Sequence, residues 1–586
     1  MSERPVAASD RGVTTVQPEI LVRPQPDSDI ALGDSLPPLL RRIYAARGVT
    51  RPEQLDRSLR ALLAPDALND AERAAARLAR AIVEQERILL VGDFDADGAT
   101  AVALAVSLLK ALGAVEVEFL VPNRFEFGYG LSPEIVALAA RRAPRVLVTV
   151  DNGVSSVDGV AAANAAGMDV IVTDHHLPGR ELPAAYALVN PNLPDCPFAS
   201  KALAGVGVIY YVLGLVRARL RSDGWFRDRS QPNLADWLDL VALGTVADVV
   251  PLDRNNRILV HQGIARMRAG RCRPGIKALA EVAGRPLARL TAQDLGFGLG
   301  PRLNAAGRLD DMTLGIRCLL AEDRGEALGH ARALDELNRA RRALELEMVR
   351  DAELIVAGHR VDAADRYGVC VYEPGWHQGI VGIVAGRLRE KIHRPVIAFA
   401  DAGDAAPDEL KGSARSVPEL HVRDALDAVA ARYPGMLARF GGHAMAAGLS
   451  IKRVHYERFA RAFDAEVRRV LPPAALTRTL LTDGPLEAHE LSLDMAQRLS
   501  GAGPWGQAFP EPLFHGEFDV VSQRVVGEDH LKLVVRYEGR LVDAIAFRQP
   551  PLGDVRRVRA AFRLAENDYG PLPTLQLVVE HLAPLA

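Results

Sequence analysis

Short, continuous runs of apolar residues alternate with helical segments between residues 87 and 190. Runs rich in Val, Ile and Leu are typical of parallel strands buried on both faces, and helices of about 10–15 residues connect such strands. The pattern therefore predicts an α/β domain built on a doubly wound parallel sheet. The predicted strands are 87–91, 115–121, 145–150, 169–173 and 187–190.

The segments before this sheet are irregular or helical. Residues 1–35 are rich in Pro, Asp, Ser and Arg, which is typical of an irregular lead-in. Helices are predicted at 38–46, 52–63 and 70–86, and the first two begin with a proline, whose missing N–H costs nothing there.

The pattern changes again after residue 320. Residues 323–357 contain few Gly or Pro and carry charges four residues apart, which predicts one long helix. Residues 366–465 indicate a second α/β lobe with strands at 367–372 and 395–400. Five further strands, within about 70 residues, suit a C-terminal OB-fold β-barrel, a fold that commonly binds single-stranded nucleic acid, although a barrel used only for packing is an alternative. They are 517–526, 530–537, 541–547, 556–564 and 574–582.

Composition limits the kind of protein this is. The chain has 586 residues, enough for three or four domains. Its net charge is -3, so any nucleic-acid surface must be local. Four cysteines without a C-x-x-C pair argue against a disulfide framework or zinc knuckle. Without a signal core at the N-terminus or a run long enough to span a bilayer, we expect a soluble, cytoplasmic protein.

Polar residues follow three of the predicted strands directly. In an open parallel sheet such positions share one edge, where ligands bind. Taken singly, an Asp at this position is most simply a helix N-cap, but capping alone poorly explains three acidic strand ends and a histidine pair. Carboxylate and imidazole ligands together suit a two-metal site for Mn²⁺ or Mg²⁺. The residues are Asp93, Asp95 and Asp97, then Asp151, then Asp174, His175 and His176.

A further acidic residue, Asp248, ends a predicted helix at 237–249 and precedes Pro251. Its neighbours are apolar, and a buried carboxylate needs a partner. Either a cap or salt bridge, or a metal ion, would provide one.

Four motifs occur in order along the chain: Asp93-Phe-Asp-Ala-Asp-Gly98, Asp151-Asn-Gly153, Asp174-His-His176 and Gly244-Thr-Val-Ala-Asp248. This ordered set resembles the DHH phosphoesterase superfamily and, within it, the RecJ family of single-strand-specific exonucleases. The resemblance extends over nearly the whole chain through five further segments. These are 122–130, 300–308, 375–382, 412–416 and 441–443. Ala414 departs from the common Gly-Ser-Gly-Arg-Ser form, but Ser413 and Arg415 remain.

The resemblance implies a domain order. The expected domains are an N-terminal lead-in (1–86), a DHH catalytic domain (87–320), a connecting helix (321–360), a DHH-associated substrate-binding domain (361–470) and an OB-fold DNA-binding domain (471–586).

The resemblance also implies roles at the metal site. Asp95 and Asp97 would hold opposite metals, Asp151 would bridge them, and His175 and Asp248 would complete the ligands of the second metal. His176 would contact the scissile phosphate, and Asp174 would orient a histidine. Asp93 would either shape the loop or ligate directly.

Residues that would hold DNA are implied in the same way. A pocket for the 5′-terminal phosphate would consist of Arg124, Ser413 and Arg415, because the guanidinium fork matches phosphate oxygens. Taken singly, without these motifs, such basic residues are more simply interpreted as surface ion pairs. The remaining candidates are Arg302 and Asn304 beside the cut, and His377 and His443 along the cleft.

The implied function is 5′→3′ exonuclease action on single-stranded DNA, releasing 5′-mononucleotides by two-metal hydrolysis in recombination and repair. The alternatives are a phosphodiesterase for short oligonucleotides or cyclic dinucleotides, and a non-catalytic DNA-binding scaffold. Implied partners are the 5′ end of a single strand, a single-strand-binding protein and a RecQ-type helicase, and the implied state is a monomer.

Overall fold

The computed structural model describes residues 17–26, 32–33, 35–123, 126–127, 129–358, 366–403, 406–527, 529–568 and 571–585. Within these residues the chain forms two compact units. The larger contains residues 22–338 and 482–586, and the smaller contains residues up to 21 and 339–481. In the described part of the chain, no helix combines the length and the apolar character needed to cross a membrane.

The N-terminal part begins with strand β1 (Glu19–Val22) and helices α1 (Pro38–Ala45) and α2 (Ala71–Val83). The helix predicted at 52–63 is wrong. Two 3₁₀ turns, Pro52–Leu55 and Leu59–Ala61, occupy this segment. Between them, the Asp56 carboxylate accepts the Ser58 N–H at 2.8 Å, and such local bonds compete with helix formation.

The five predicted parallel strands are present. They are β2 (Ile88–Gly92), β3 (Val117–Leu120), β4 (Val146–Val150), β5 (Asp169–Thr173) and β6 (Ala187–Val189), in the order β3-β2-β4-β5-β6. All four neighbouring pairs are parallel. Alternate residues of β2 enter different cores: Ile88 and Leu90 join one, and Leu89 and Val91 join the other. The predicted doubly wound sheet is therefore confirmed.

Helices cover both faces of this sheet and continue beyond it. They are α3 (Ala96–Leu112), α4 (Pro133–Ala140), α5 (Val157–Ala165), α6 (Gly205–Ser222), α7 (Leu238–Ala247), α8 (Arg254–Arg268), α9 (Pro274–Val282), α10 (Gly300–Leu309) and α11 (Thr313–Leu320). The long helix that the charge pattern predicts is α12 (Arg324–Gly358).

The smaller unit contains a mixed sheet in the order β10-β11-β9-β8-β7. Sequence patterns predicted only two of its strands, β7 (Val369–Tyr372) and β8 (Val396–Asp401). The other three, β9 (Glu409–Arg415), β10 (Leu437–Gly442) and β11 (Ala446–Lys452), contain glycine, which weakens the strand signal. The helices of this unit are α13 (Val381–Ile392), α14 (Val422–Arg432) and α15 (Tyr456–Val470).

The C-terminal region folds as the predicted closed barrel. Strand β12 (Thr479–Thr482) pairs with β1, and α16 (Leu493–Ala502) precedes the barrel. The barrel strands are β13 (Phe514–Val526), β14 (His530–Tyr537), β15 (Arg540–Ala546), β16 (Arg557–Asn567) and β17 (Thr574–Leu585).

The barrel shares one core with the parallel-sheet domain. Phe514 and Phe518 of the barrel belong to the same apolar cluster as residues of α1, α2 and α3. Buried polar contacts reinforce this junction: Tyr44 Oη donates to Ala502 O at 2.8 Å, and Arg47 pairs with Asp483 at 2.6 Å. The five predicted domain ranges stay a prediction.

Candidate active site

The acidic loop after β2 is shaped by its own carboxylates. Asp95 caps α3, because its Oδ1 accepts the N–H groups of Asp97 at 2.9 Å and Gly98 at 3.0 Å. Asp93 Oδ1 accepts the Phe94 N–H at 2.7 Å and is almost completely buried. Each carboxylate also has a second oxygen, so these local bonds leave acceptor capacity for a cation.

The Asp97 carboxylate lies at the N-terminus of α6. Its Oδ2 accepts the Gly205 N–H at 2.6 Å, and its Oδ1 accepts the Val206 N–H at 3.0 Å. The helix dipole favours negative charge at this position. Gly205 is required here, since a Cβ would lie 2.5 Å from Asp151 Oδ1.

Asp151 follows β4 with a left-handed backbone, at a φ of 63°. Residues other than glycine adopt this conformation rarely, and such outliers concentrate at functional sites. Its carboxylate is buried, and no described residue hydrogen-bonds to Oδ1. An unsatisfied buried carboxylate oxygen is costly unless a cation neutralises it.

Asp174 holds the histidine pair after β5. Its Oδ1 accepts the His176 Nδ1–H at 2.7 Å and the His175 N–H at 2.7 Å, and its Oδ2 accepts the Val154 N–H at 2.9 Å. Burial alone would lower the pKa of His176, but the hydrogen bond and charge of Asp174 outweigh it and raise the pKa to about 9. Asp174 therefore contacts the His176 ring through Nδ1 and the His175 backbone through its N–H.

His175 points at three carboxylates. Its Nε2 lies 3.1 Å from Asp151 Oδ1, 3.5 Å from Asp248 Oδ2 and 3.9 Å from Asp97 Oδ2. Asp248 itself caps the C-terminal end of α7. Asp248 therefore caps the helix and also faces the same imidazole nitrogen as Asp97 and Asp151. Side chains that converge in this way are typical of metal ligands.

These side chains form three overlapping groups that could hold a metal ion. Within each group the possible ligand atoms lie within 4.8 Å of one another. Asp151 and His175 each belong to two groups, so the groups adjoin. The groups are Asp93–Asp95–Asp151, Asp97–His175–Asp248 and Asp151–His175–His176.

The electrostatics of the protein alone reflect this crowding. Burial, followed by the nearby Asp95 charge, raises the pKa of Asp97 to about 7. Burial and then Asp97 raise the pKa of Asp151 and of Asp248 well above the ordinary range. Carboxylates that repel one another this strongly stay ionised only beside a cation.

Two features that contact this site were not predicted from the sequence. Tyr129 Oη lies 3.0 Å from His176 Nδ1 and 3.4 Å from Asp151 O, and the segment 122–130 that contains it was the available signal. The N-terminus of α6 was also missed. Its signal was the glycine-rich run Ala204-Gly-Val-Gly207, which predicts close backbone approach.

Arg302 and Asn304 lie on α10. Arg302 is buried and donates to Asp335 at 2.9 Å and to Gly298 O at 2.6 Å. Asn304 Oδ1 accepts the Ala96 N–H at 2.8 Å, which places Asn304 directly on the acidic loop. Phosphate binding by either residue stays a prediction.

The smaller unit brings Ser413 and Arg415 together on β9. Arg415 Nη1 donates to Ser413 Oγ at 3.1 Å. A Cβ on Gly382, in the first turn of α13, would lie 2.9 Å from Ser413 Oγ and 3.0 Å from Arg415 Nη2. In the same unit, His377 Nδ1 accepts the Gly379 N–H at 3.1 Å, and His443 is exposed on the turn after β10. Arg124 lies outside the described residues.

Family models match three segments of the chain. They are the DHH family N-terminal domain at residues 87–245, the DHHA1 domain at 365–469 and the RecJ OB domain at 482–581. A protein from Dickeya dadantii named single-stranded-DNA-specific exonuclease RecJ is 52% identical over 578 residues, which cover 96% of this chain and 99% of that relative. The chain belongs to the RecJ family. The Escherichia coli protein of the same name is 51% identical over 96% of this chain and 99% of its own length.

Solved RecJ structures agree with this assignment. The crystal structure of RecJ from Thermus thermophilus in complex with Mn²⁺ matches with a TM-score of 0.80 and 31% identity, over 98% of this chain and 80% of that chain. The Mg²⁺ complex from the same organism matches with a TM-score of 0.74 and 30% identity, over 98% of this chain and 79% of that chain. The predicted fold class, including the C-terminal barrel, is confirmed.

Proposed function

We propose that this protein is a metal-dependent exonuclease that degrades single-stranded DNA from the 5′ end, releases 5′-mononucleotides and acts in DNA recombination and repair. The observation that carries the proposal is the set of adjoining ligand groups joined by Asp151 and His175. Full-length relatives named single-stranded-DNA-specific exonuclease support the choice of substrate over oligonucleotide or cyclic-dinucleotide phosphodiesterase activity.

The residues at the sheet edge fit a pair of divalent cations, Mn²⁺ or Mg²⁺. The buried Asp151 Oδ1, which accepts no hydrogen bond from the described residues, is the strongest sign of this fit. Asp95 and Asp97 would hold opposite ions with Asp151 between them, and His175 and Asp248 would complete the ligands on the Asp97 side. Bound ions would activate a water and neutralise charge on the scissile phosphate.

The chain's own contribution to phosphoryl chemistry would come from His176. Asp174 holds Nδ1 of this imidazole, so Nε2 is the ring nitrogen that would face the substrate. From there it would donate a hydrogen bond to a phosphate oxygen or a proton to the leaving oxygen. Asp174 acts through His176 and is a positioning residue.

A 5′-terminal phosphate would be bound by Arg124, Ser413 and Arg415. Support comes from the last two side chains, which lie two residues apart on one face of β9 beside the first turn of α13. An Arg guanidinium and helix N–H groups together suit a phosphate dianion.

The remaining predicted contacts would guide the strand. His377 and His443 would line its path, and Asn304 and Arg302 would hold the phosphates beside the cut. Basic residues on the barrel would hold the rest of the strand through its backbone. These are Arg524, Lys532, Arg536, Arg540 and Arg548.

The protein would act as a monomer with a single-strand-binding protein and a RecQ-type helicase as partners. Sedimentation of the purified chain checks the first point, since a dimer at micromolar concentration would contradict it. Pull-down with each purified partner checks the second.

A product assay tests the proposed function. Single strands labelled at the 5′ or the 3′ end are incubated with Mn²⁺, Mg²⁺ or a chelator. We expect the 5′ label to appear at once as a mononucleotide, the 3′ label to shorten progressively, and the chelator to stop both. Release of the 3′ label first, or of long internal fragments, would contradict the proposal.

The same assay tests the phosphate pocket. Arg415→Ala should reduce the preference for a 5′-phosphate over a 5′-hydroxyl, because Arg415 would contact the dianion directly. Exposed Arg439→Ala, on β10 of the same unit, is the matched control. An unchanged preference in Arg415→Ala would rule out this pocket.

A further inference from the structure

Phe297 is a large aromatic side chain that is 76% exposed. It lies in a π-helical turn, Asp294–Leu299, which leads directly into α10. Turns of this kind are rare and occur frequently at functional sites. An exposed aromatic ring on such a turn is suited to bind a ligand with an apolar face.

The π-helical turn packs against the end of α7, which precedes Asp248. A Cβ on Gly296 would lie 3.3 Å from Val246 Cγ1, and a Cβ on Gly300 would lie 3.1 Å from Ala247 Cβ. Phe297 is therefore carried by a turn that is in contact with the helix end that positions a candidate metal ligand.

Phe297 also shares a helical stripe with Asn304. Phe297, Pro301, Asn304 and Arg308 are spaced four, three and four residues apart and are less buried than the residues between them. Asn304 reaches the acidic loop through the Ala96 N–H at 2.8 Å. Seven residues of helix correspond to about 10 Å along its axis.

Val249 is a second exposed apolar residue at this rim. It directly follows Asp248, is 63% exposed and has a φ of 62°. A left-handed backbone is strained for a β-branched residue, and such strain persists where the surrounding structure imposes it. Its N–H donates to Val246 O at 3.3 Å. Val246 is also the residue against which Gly296, the neighbour of Phe297, packs.

We propose that Phe297, together with the exposed Val249 of the same rim, forms a stacking platform for the base of one of the two nucleotides that flank the bond being cut. The inference rests on the proposed function and names the part of the substrate that this rim binds. Stacking suits a nuclease without sequence preference, since every base has a π-face. It also favours single strands, because a duplex base is already stacked on its neighbours.

Substitutions at Phe297 test the platform. With a 5′-phosphorylated single strand, Phe297→Ala and Phe297→Leu should lower kcat/KM by roughly 5- to 100-fold, mainly through KM, whereas Phe297→Trp should retain it. Val115→Ala is the matched control, because Val115 is 72% exposed and precedes β3, at the opposite edge of the sheet. Thermal unfolding should be unchanged in all four variants.

Abasic strands distinguish stacking from other roles. Two substrates are compared, one without the base of the first nucleotide and one without the base of the second. On one of them, wild type and Phe297→Ala should have the same kcat/KM. A difference that persists on both abasic strands, or wild-type behaviour of Phe297→Ala on intact strands, would overturn the inference.

Fluorescence anisotropy with the same strands in chelator repeats the comparison without turnover. In the degradation assay with metal, failure of wild type to degrade the intact strand would contradict the proposed function alone. In the anisotropy experiment, equal binding by wild type and Phe297→Ala would contradict the platform alone.

Discussion

At the scale of single residues, the structure shows which contacts Asp93 makes, which the sequence could not. Its Oδ1 accepts the Phe94 N–H at 2.7 Å, which is a loop-shaping bond. Its carboxylate also belongs to a possible ligand group with Asp95 and Asp151. The two roles considered from sequence are therefore compatible, because one oxygen can serve the loop while the other faces a cation.

Asp93→Asn separates these roles, because the amide oxygen can still accept the Phe94 N–H while the negative charge is lost. If Asp93 ligates a metal, the Mn²⁺ concentration needed for half-maximal activity should rise at least about 10-fold. Asp158→Asn, an exposed change in the first turn of α5, serves as the control. A Mn²⁺ dependence equal to that of wild type would leave Asp93 with the loop-shaping role only.

The candidate ligands could be named from sequence because each follows a strand or helix end within a compact motif. Their partners could not be named in this way. The bonds from Gly205 and Val206 to Asp97 join residues more than one hundred positions apart, and no local pattern records such a contact. The buried ion pair of Arg302 with Asp335 was equally invisible, because the motif indicated only an arginine suited to phosphate.

At the scale of elements, the N-terminus of α6 acts as a support for the acidic loop. It donates two backbone N–H groups to Asp97 and presents Gly205 to the Asp151 carboxylate. The site therefore depends on close helix packing as well as on its ligands.

Gly205→Ala should disturb this packing, since the added Cβ would lie 2.5 Å from Asp151 Oδ1. Displacement of a ligand by about 1 Å can lower the rate about 100-fold, and we expect a loss of that order in steady-state degradation of single strands. Gly329→Ala, where a Cβ would meet nothing within 4 Å, is the control. Full activity of Gly205→Ala would show that Asp151 tolerates the shift.

Prediction of elements succeeded where burial leaves a strong pattern. The strands of the parallel sheet are continuous apolar runs, and α12 contains no proline and few glycines. It failed at 52–63, where the Asp56 carboxylate accepts the backbone N–H of Ser58. It also failed at β10, where glycine and arginine interrupt a mostly exposed strand.

At the scale of the whole molecule, the C-terminal barrel has a structural role besides any grip on DNA. It shares an apolar core with the parallel-sheet domain, and Tyr44 and Arg47 bond to residues beside it. Sequence patterns predicted the barrel but gave no sign of this junction.

Deletion of residues 483–586 should therefore destabilise the remaining chain. Burial of a single large apolar side chain contributes roughly 1.5–3 kcal/mol, and several would become exposed, so the melting temperature should fall and activity on short and long strands should fall together. Arg524→Ala with Arg536→Ala should instead weaken binding of long strands alone, since both side chains are exposed. An unchanged melting temperature in the truncated protein would show that the shared core contributes little.

The central claim is that Asp151 joins two metal positions. Calorimetric titration of Mn²⁺ into wild type and Asp151→Ala, with Asp158→Ala as the control, tests it most directly. We expect two ions per chain in wild type and in the control, and weakened binding of both ions in Asp151→Ala, with loss of nuclease activity. Two ions bound by Asp151→Ala with wild-type affinity would contradict the account.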